Sequence, residues 1–469
     1  MPAPIQRARL ELDLMKVLSR YLCLCSVALL AAGEAAAQQA IDPATLPPTQ
    51  AIDAPAAERV FGNWGGLQDD LVRQGIGLKI DAVTEFAANV SGGTHEASSF
   101  ANQVGFNLDI NWERLADVTG LSTHLTIVNR SGTNTSRAFG DNLLPVQEIY
   151  GSGGNVLLHL VSIYAQETMM DGRLDVAIGR MNVENDFGSS PLYCAFMNNG
   201  LCGDPKALPG GDIGHSAYPD AAWGLRVKGR PVPDFLVTAG IYEVNQGMYS
   251  YANFRSGFKF DSSQDSGVYL PIEIAWEPKF GADEMLGHYR LGFGYDSSGT
   301  YKAFSNALGE AGLPGYGTGT HTGNTQFWAL ADQMLFRNGD GNDNGVVALA
   351  GYILNDPNNT VYADQYIVGV IDKGFWAARP QDQFGILFSY VTASDRLAKV
   401  QAIQQAHGLP FSNGATGIQS NEMFVEANYL VHVSDGLTFM PDFQYIIRPN
   451  AQSNIQDAPV FGFRAYIDF

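Results

Sequence analysis

The stretch Phe106-Asn107-Leu108-Asp109-Ile110-Asn111-Trp112-Glu113 alternates apolar and polar residues without a break. Phe106, Leu108, Ile110 and Trp112 share one face. Asn107, Asp109, Asn111 and Glu113 share the other. This is the period-two signature of a β-strand lying between two unlike environments. The pattern recurs along the chain. Leu270, Ile272, Ile274 and Trp276 oppose Glu273 and Glu277, and the segment from Tyr289 to Tyr295 repeats the theme. At the C-terminus Phe461, Phe463, Ala465, Ile467 and Phe469 oppose Gly462, Arg464, Tyr466 and Asp468.

Worked outward, the alternation predicts strands at 78–90, 104–113, 121–130, 155–167, 172–181, 221–230, 234–243, 267–277, 287–297, 324–336, 345–354, 363–373, 382–392, 420–432, 435–448 and 458–469. That is about sixteen strands, most of about ten residues or more, where a soluble strand typically has five or six. Connections after odd-numbered strands are mostly long (91–103, 131–154, 182–220, 244–266, 298–323, 393–419), and those after even-numbered strands are short. Past residue 37 no stretch of about 18 apolar residues occurs, so no transmembrane helix is expected. Alternating strands with short turns at one end and long loops at the other predict a transmembrane antiparallel β-barrel, its turns periplasmic and its loops extracellular. Closure is required because an unpaired backbone N–H or C=O in lipid costs several kcal/mol. Aromatics at strand ends, such as Trp112, Trp276, Tyr295 and Phe469, are expected to form the interfacial girdles.

Composition narrows the function. The chain has 469 residues, 28 of them Lys or Arg and 48 Asp or Glu, for a formal net charge of −20. Only 16% are charged and 11% are aromatic. Disorder needs many charges and few aromatics, so it is excluded. Nucleic acid is not an expected partner, because phosphate binding needs a basic face.

Lys16 and Arg20, the apolar run from Tyr21 to Ala32, and Ala35-Ala36-Ala37 before Gln38 read as a secretory signal peptide over 1–37, with Met1 or Met15 as its start. Its removal takes away four basic and three acidic residues, so −20 minus +1 gives a mature charge of −21. Cys23 and Cys25 leave with it. Cys194 and Cys202 remain, and in an oxidising compartment such a pair is expected as a disulfide, with a metal site as the alternative. Residues 38–60 are Ala/Pro-rich and read as a periplasmic linker. Trp64, Leu67, Leu71 and Gln74 fall at helical spacing before Gly75, which predicts a short periplasmic helix within 61–76 ahead of a barrel domain over 77–469.

A barrel of sixteen to eighteen strands leaves an aqueous channel rather than a filled core. The loop 182–220 is the longest and contains the cysteine pair; a loop of this length is usually functional, and it is expected to fold inward and narrow the channel. By alternation the lumen face carries Asp81, Glu85, Asn107, Asp109, Arg130, Arg226, Lys228, Glu273, Arg290, Glu426, Asn428, Asp442, Gln444 and Arg448. Of these, Asp81, Glu85, Asp109, Arg130, Arg226, Lys228, Glu273 and Arg290 are the candidate pore-lining and constriction residues. Both signs occur together. An ion filter would need a ring of mostly one sign, whereas a mixed lumen suits neutral polyhydroxy solutes. Tyr193, Phe196, Tyr218, Tyr249, Tyr251 and Phe254 are candidate aromatics for stacking on sugar faces at the mouth.

Three motifs carry a family resemblance. Near the mature N-terminus stands Phe61-Gly62-Asn63-Trp64-Gly65-Gly66-Leu67-Gln68-Asp69-Asp70-Leu71, followed by Gly75-Ile76-Gly77-Leu78. The second is the Cys-bounded Cys194-Ala195-Phe196-Met197-Asn198-Asn199-Gly200-Leu201-Cys202-Gly203-Asp204-Pro205. The third is Phe443-Gln444-Tyr445-Ile446-Ile447-Arg448-Pro449-Asn450, in a chain that ends on Phe. Together they resemble the carbohydrate-selective porin family of Gram-negative outer membranes over essentially 61–469. The resemblance implies passive diffusion of monosaccharides such as glucose, with other small polyols or acids as the alternative. The expected partners are small carbohydrates, outer-membrane lipid and lipopolysaccharide, and the barrel-assembly machinery through Phe469. Assembly as a homotrimer and as a monomer are both open.

Other motifs fail on inspection. Asp340-Gly341-Asn342-Asp343-Asn344-Gly345 starts like a calcium loop, but its twelfth position is Gly351, without the bidentate Glu. The His residues show no ligand spacing, so neither metal nor cofactor is expected. An outer-membrane enzyme would need a Ser/His/Asp or Asp/His cluster on strand ends, and none is visible in the spacing; no enzymatic activity is expected.

Overall fold

The structure, a computed structural model, describes residues 59–469 apart from 150–155, 250–255, 261, 299–300, 303–319, 340–343 and 412–414. The predicted leader 1–37, nearly all of the linker, Tyr251 and Phe254, and most of the calcium-like 340–345 lie outside the described residues.

Sixteen long strands make up the fold: β1 Ile76–Asn89, β2 Ala97–Asn111, β3 Leu121–Gly132, β4 Val156–Met169, β5 Leu174–Met181, β6 Ala222–Val232, β7 Phe235–Asn245, β8 Asp265–Trp276, β9 Met285–Asp296, β10 Asn324–Arg337, β11 Gly345–Asn355, β12 Tyr362–Lys373, β13 Gln383–Ala393, β14 Asn421–Ser434, β15 Leu437–Ile447 and β16 Ala458–Asp468. Each is antiparallel to its predecessor. β1 pairs with β2 and also with β16, from Asp81 opposite Asp468 to Asn89 opposite Val460. The sheet therefore has no free edge, which is the condition for strands to stand in lipid.

The two faces are inverted relative to a soluble protein. On β8, Ile272 is 45% exposed while its neighbour Glu273 is 6% exposed. On β2, Val104 and Phe106 are exposed while Asn107 and Asp109 are buried. Apolar side chains face outward and polar ones inward, as the alternation predicts. No helix among the described residues is long and apolar enough to cross a membrane.

The interior holds a second core. Leu144, Phe187, Phe196, Met197, Leu201, Trp328 and Phe424 are fully buried. They come from the segments 133–149 and 182–221 together with inward-facing wall residues. Tyr193 and Phe196 belong to this core. They are therefore unavailable at the mouth, contrary to the sequence expectation: in a loop packed against a wall, large aromatics fill the seam.

Local departures have local causes. β2 begins at Ala97 rather than near 104, because it pairs with β1 along its whole length. Trp112 ends the alternation and opens a short helix, Trp112–Ala116, whose first turn is capped by the Asn111 side chain accepting from Arg114 N at 3.0 Å. Its indole donates to Thr123 Oγ1 at 3.1 Å. Before β1, α1 (Leu67–Arg73) forms as expected, but Leu67 is exposed and Gln68 is buried. Gly75 then turns the chain at φ +85°, and a Cβ there would meet Asn111 O at 2.6 Å. Within 394–420 an unforeseen helix, α2 (Asp395–Ala406), is capped by Ser394, whose hydroxyl accepts from Arg396 N at 3.2 Å.

Candidate functional site

The segment between β5 and β6 lies against the inner wall. Gly188 N donates to Glu273 Oε2 on β8 at 2.9 Å, and Arg290 on β9 donates to Ser189 O at 2.5 Å. Further along, Glu426 on β14 accepts from Met197 N at 2.5 Å and Asn198 N at 3.1 Å. Asn198 Nδ2 donates to Gln444 on β15 at 2.8 Å, and Arg464 on β16 donates to Cys194 O at 2.9 Å. A short helix, Ala207–Gly211, then crosses to Gln326 on β10, Asn355 on β11 and Gln365 on β12. Cys194 and Cys202 are joined by a disulfide. The residues that seat the loop are amides, carboxylates and two arginines of the polar strand face. Each satisfies a backbone group that would otherwise be stranded inside the barrel.

A second segment also turns inward, which spacing did not reveal. Ile149 N donates to Glu85 Oε2 at 3.0 Å, Gln444 donates to Val146 O at 2.9 Å, and Tyr362 donates to Leu143 O at 2.9 Å.

Between these segments and the wall is a cavity of about 940 Å³. Its walls include the carboxylates Glu148, Glu184, Asp186, Asp204, Glu273 and Glu277 and the cations Arg137, Lys206, Lys228, Arg290 and Arg464, with the rings of Tyr218 and Tyr249. Of the eight candidates, Lys228, Glu273 and Arg290 line it. Lys228 Nζ lies 2.9 Å from Asp186, and Arg290 Nε lies 3.9 Å from Glu273. Arg226 sits behind Lys228, between Asp175 and Asp186. Glu85 underlies Arg464 at 2.8 Å. Arg130 reaches Glu148 at 3.0 Å and stacks under Tyr218, 5.1 Å from its centroid. Asp81 is apart from this group, facing Gly105 on β2. Arg448 leaves the wall altogether: it follows β15 at φ +56° and is exposed, donating to Asn421. The alternation that placed it inside stops one residue earlier. Arg464 was legible on the polar face of the last strand, whereas Glu148, Glu184, Asp186, Asp204 and Lys206 are loop residues without periodicity to mark them.

Loop electrostatics follow from burial. Desolvation holds Glu184 well above the usual carboxylate range, helped by the neighbouring Asp204, and raises Asp204 to about 7. The same burial lowers Lys206, and lowers His215 to about 3.

Asp109 supplies a correction. Register brings it opposite His124, whose Nδ1 is 2.7 Å from Asp109 Oδ1, while His124 Nε2 is 3.0 Å from Ser122 Oγ. A Ser/His/Asp cluster thus exists, assembled across two strands where sequence spacing could not show it. Acyl transfer also needs N–H donors for an oxyanion. Here the flanking backbone belongs to the β2–β3–β4 ladder, so the cluster reads as a hydrogen-bonded rung of the wall.

A closed sixteen-stranded barrel whose lumen is crossed by polar segments is an outer-membrane diffusion channel, a porin. Residues 95–469 match the carbohydrate-selective porin, OprB family, and the chain belongs to that family. It is 29% identical over 422 residues to Porin B of Pseudomonas aeruginosa, covering 88% of this chain and 91% of that one. It is 26% identical to the putative porin QuiX of Acinetobacter baylyi, covering 87% and 93%. The high-pH structure of Pseudomonas putida OprB superposes with a TM-score of 0.82 at 27% identity, over 89% of this chain and 99% of that one. The protein is a carbohydrate-selective porin of the outer membrane.

Proposed function

We propose that this porin passes small neutral sugars, monosaccharides such as glucose, by passive diffusion. The loop 182–220 forms the constriction. Lys228, Glu273 and Arg290 face the solute, while Asp81, Glu85, Asp109, Arg130 and Arg226 set the polar frame around it. The observation that carries this reading is charge pairing: Lys228 with Asp186, Arg290 with Glu273 and Arg464 with Glu85. Paired charges offer donors and acceptors side by side without a single-sign ring, which favours hydroxylated solutes over ions. Fixed dipoles of this kind replace part of the sugar's hydration during passage. We assign the channel no catalytic step. We also propose that the short turns face the periplasm, that the outer face meets lipid and lipopolysaccharide, that Phe469 is read by the assembly machinery, and that a homotrimer is one assembly open to it.

The test is the folded protein in planar bilayers and proteoliposomes. Stepwise conductance, block of the ion current by glucose, and swelling in isotonic sugar are the expected results. A conducting channel that neither swells nor is blocked by any monosaccharide would refute sugar passage while leaving the porin fold untouched.

A further inference from the structure

Among the cations of the cavity, Lys206 stands apart. Lys228, Arg290 and Arg464 each have a carboxylate within 4 Å. Lys206 has none among the described residues, and its ammonium makes no hydrogen bond there. Its backbone, by contrast, is fixed on both sides. Lys206 N donates to Gly200 O at 3.0 Å, Gly210 N donates to Lys206 O at 2.9 Å, and the next amide, Ala207 N, donates to Gln365 at 2.9 Å. The main chain is thus clamped, while the half-buried side chain, a four-carbon stem carrying three N–H donors, lines the cavity.

The surroundings fit a polyhydroxy solute. Glu184, Asp204 and Glu148 offer carboxyl oxygens, and Tyr218 and Tyr249 offer ring faces. An ammonium without an ion pair beside such acceptors matches a hydroxyl that accepts from one neighbour and donates to the next. Desolvated polar groups of this kind discriminate strongly when a solute completes their hydrogen bonds.

We propose that Lys206 is a specificity-determining residue of the channel, its ammonium donating directly to sugar hydroxyl oxygens as the solute passes the loop. This rests on the sugar-passage reading above and names the contact that reading leaves open.

The experiment compares wild type with Lys206→Met, which keeps the stem and removes charge and donors, and Lys206→Arg, which keeps both. Current block by glucose is titrated in planar bilayers, and the reversal potential is read in a KCl gradient. Loss of one hydrogen bond to a charged donor is expected to weaken block by about tenfold in Lys206→Met. The same variant is expected to shift the reversal potential toward cation preference, with Lys206→Arg near wild type in both. A Lys206→Met channel blocked by glucose as tightly as wild type overturns the assignment, whatever the potential does. Wild type that glucose does not block sinks the sugar reading itself, so the two failures are told apart.

Discussion

At the scale of single residues, proton accounting around His215 explains why a loop can bury charge. Gln326 Nε2 donates to Leu208 O and Asn355 Oδ1, which leaves Gln326 Oε1 to accept from the Tyr269 hydroxyl at 3.0 Å. His215 Nδ1 therefore donates to Tyr269 at 3.1 Å, and its Nε2 presents a lone pair 3.2 Å from Asp204 Oδ2. Those two atoms are not joined by a hydrogen bond, and an ionised Asp204 would set its charge against the lone pair. This agrees with burial raising Asp204 to about 7 and lowering His215 to about 3. The sign follows from linkage. A carboxyl raised in the folded state binds its proton more tightly there than in the unfolded chain. Its contribution is therefore full below the ordinary value near 4 and is lost as pH rises toward 7. Amide protection factors in 200–208 are expected to fall between pH 5 and 8 in wild type. In Asp204→Asn, which is neutral at all pH values, they should fall less, the remainder coming from Glu184. None of this was legible in the sequence, because His215, Asp204 and Tyr269 come from three places that only the packed loop joins.

At the scale of elements, the strands were readable and the contacts of the loops were not. Alternation placed all sixteen strands because each side chain meets lipid or water on a strict two-residue period. It failed where that contrast ends: Trp112 turns into a helix, and Arg448 steps off β15. The inward segments obey no period, since their partners lie scattered around the wall. Their attachment is nonetheless specific. Glu426 is fully buried and holds two consecutive loop amides. Glu426→Ala removes two charge-assisted hydrogen bonds, each worth roughly 1.5–3 kcal/mol. The disulfide-closed loop 194–202 is expected to detach, with faster amide exchange at Met197 and Asn198 and larger single-channel steps. Unchanged exchange at those two amides would show that the apolar packing of Phe196 and Met197 alone seats the loop.

At the scale of the whole molecule, the barrel separates two solvents, and substitutions divide by the side on which they fall. Ile272 and Glu273 are neighbours on β8, one exposed outward and the other buried inward. Ile272→Arg is expected to cost about 2–4 kcal/mol near the bilayer midplane, read as a lower midpoint in urea unfolding from lipid vesicles. The same substitution assayed in detergent micelles, where the head group finds water, is expected to cost less. The low charge density of the chain, 16%, has its cause here: half of each strand must remain free of charge.

The wall contacts of the loop also impose an order of assembly. Met197 and Glu426 are 229 positions apart, and Asn198 and Gln444 are 246 apart. Contacts this distant along the chain form late, because a long loop must close before they are rewarded. A chain delivered from its N-terminus presents the loop 194–202 long before β14 and β15 exist to receive it. The wide ring is therefore expected to form first and the loop contacts second, so that the segment proposed as the constriction is the last part of the molecule to take shape.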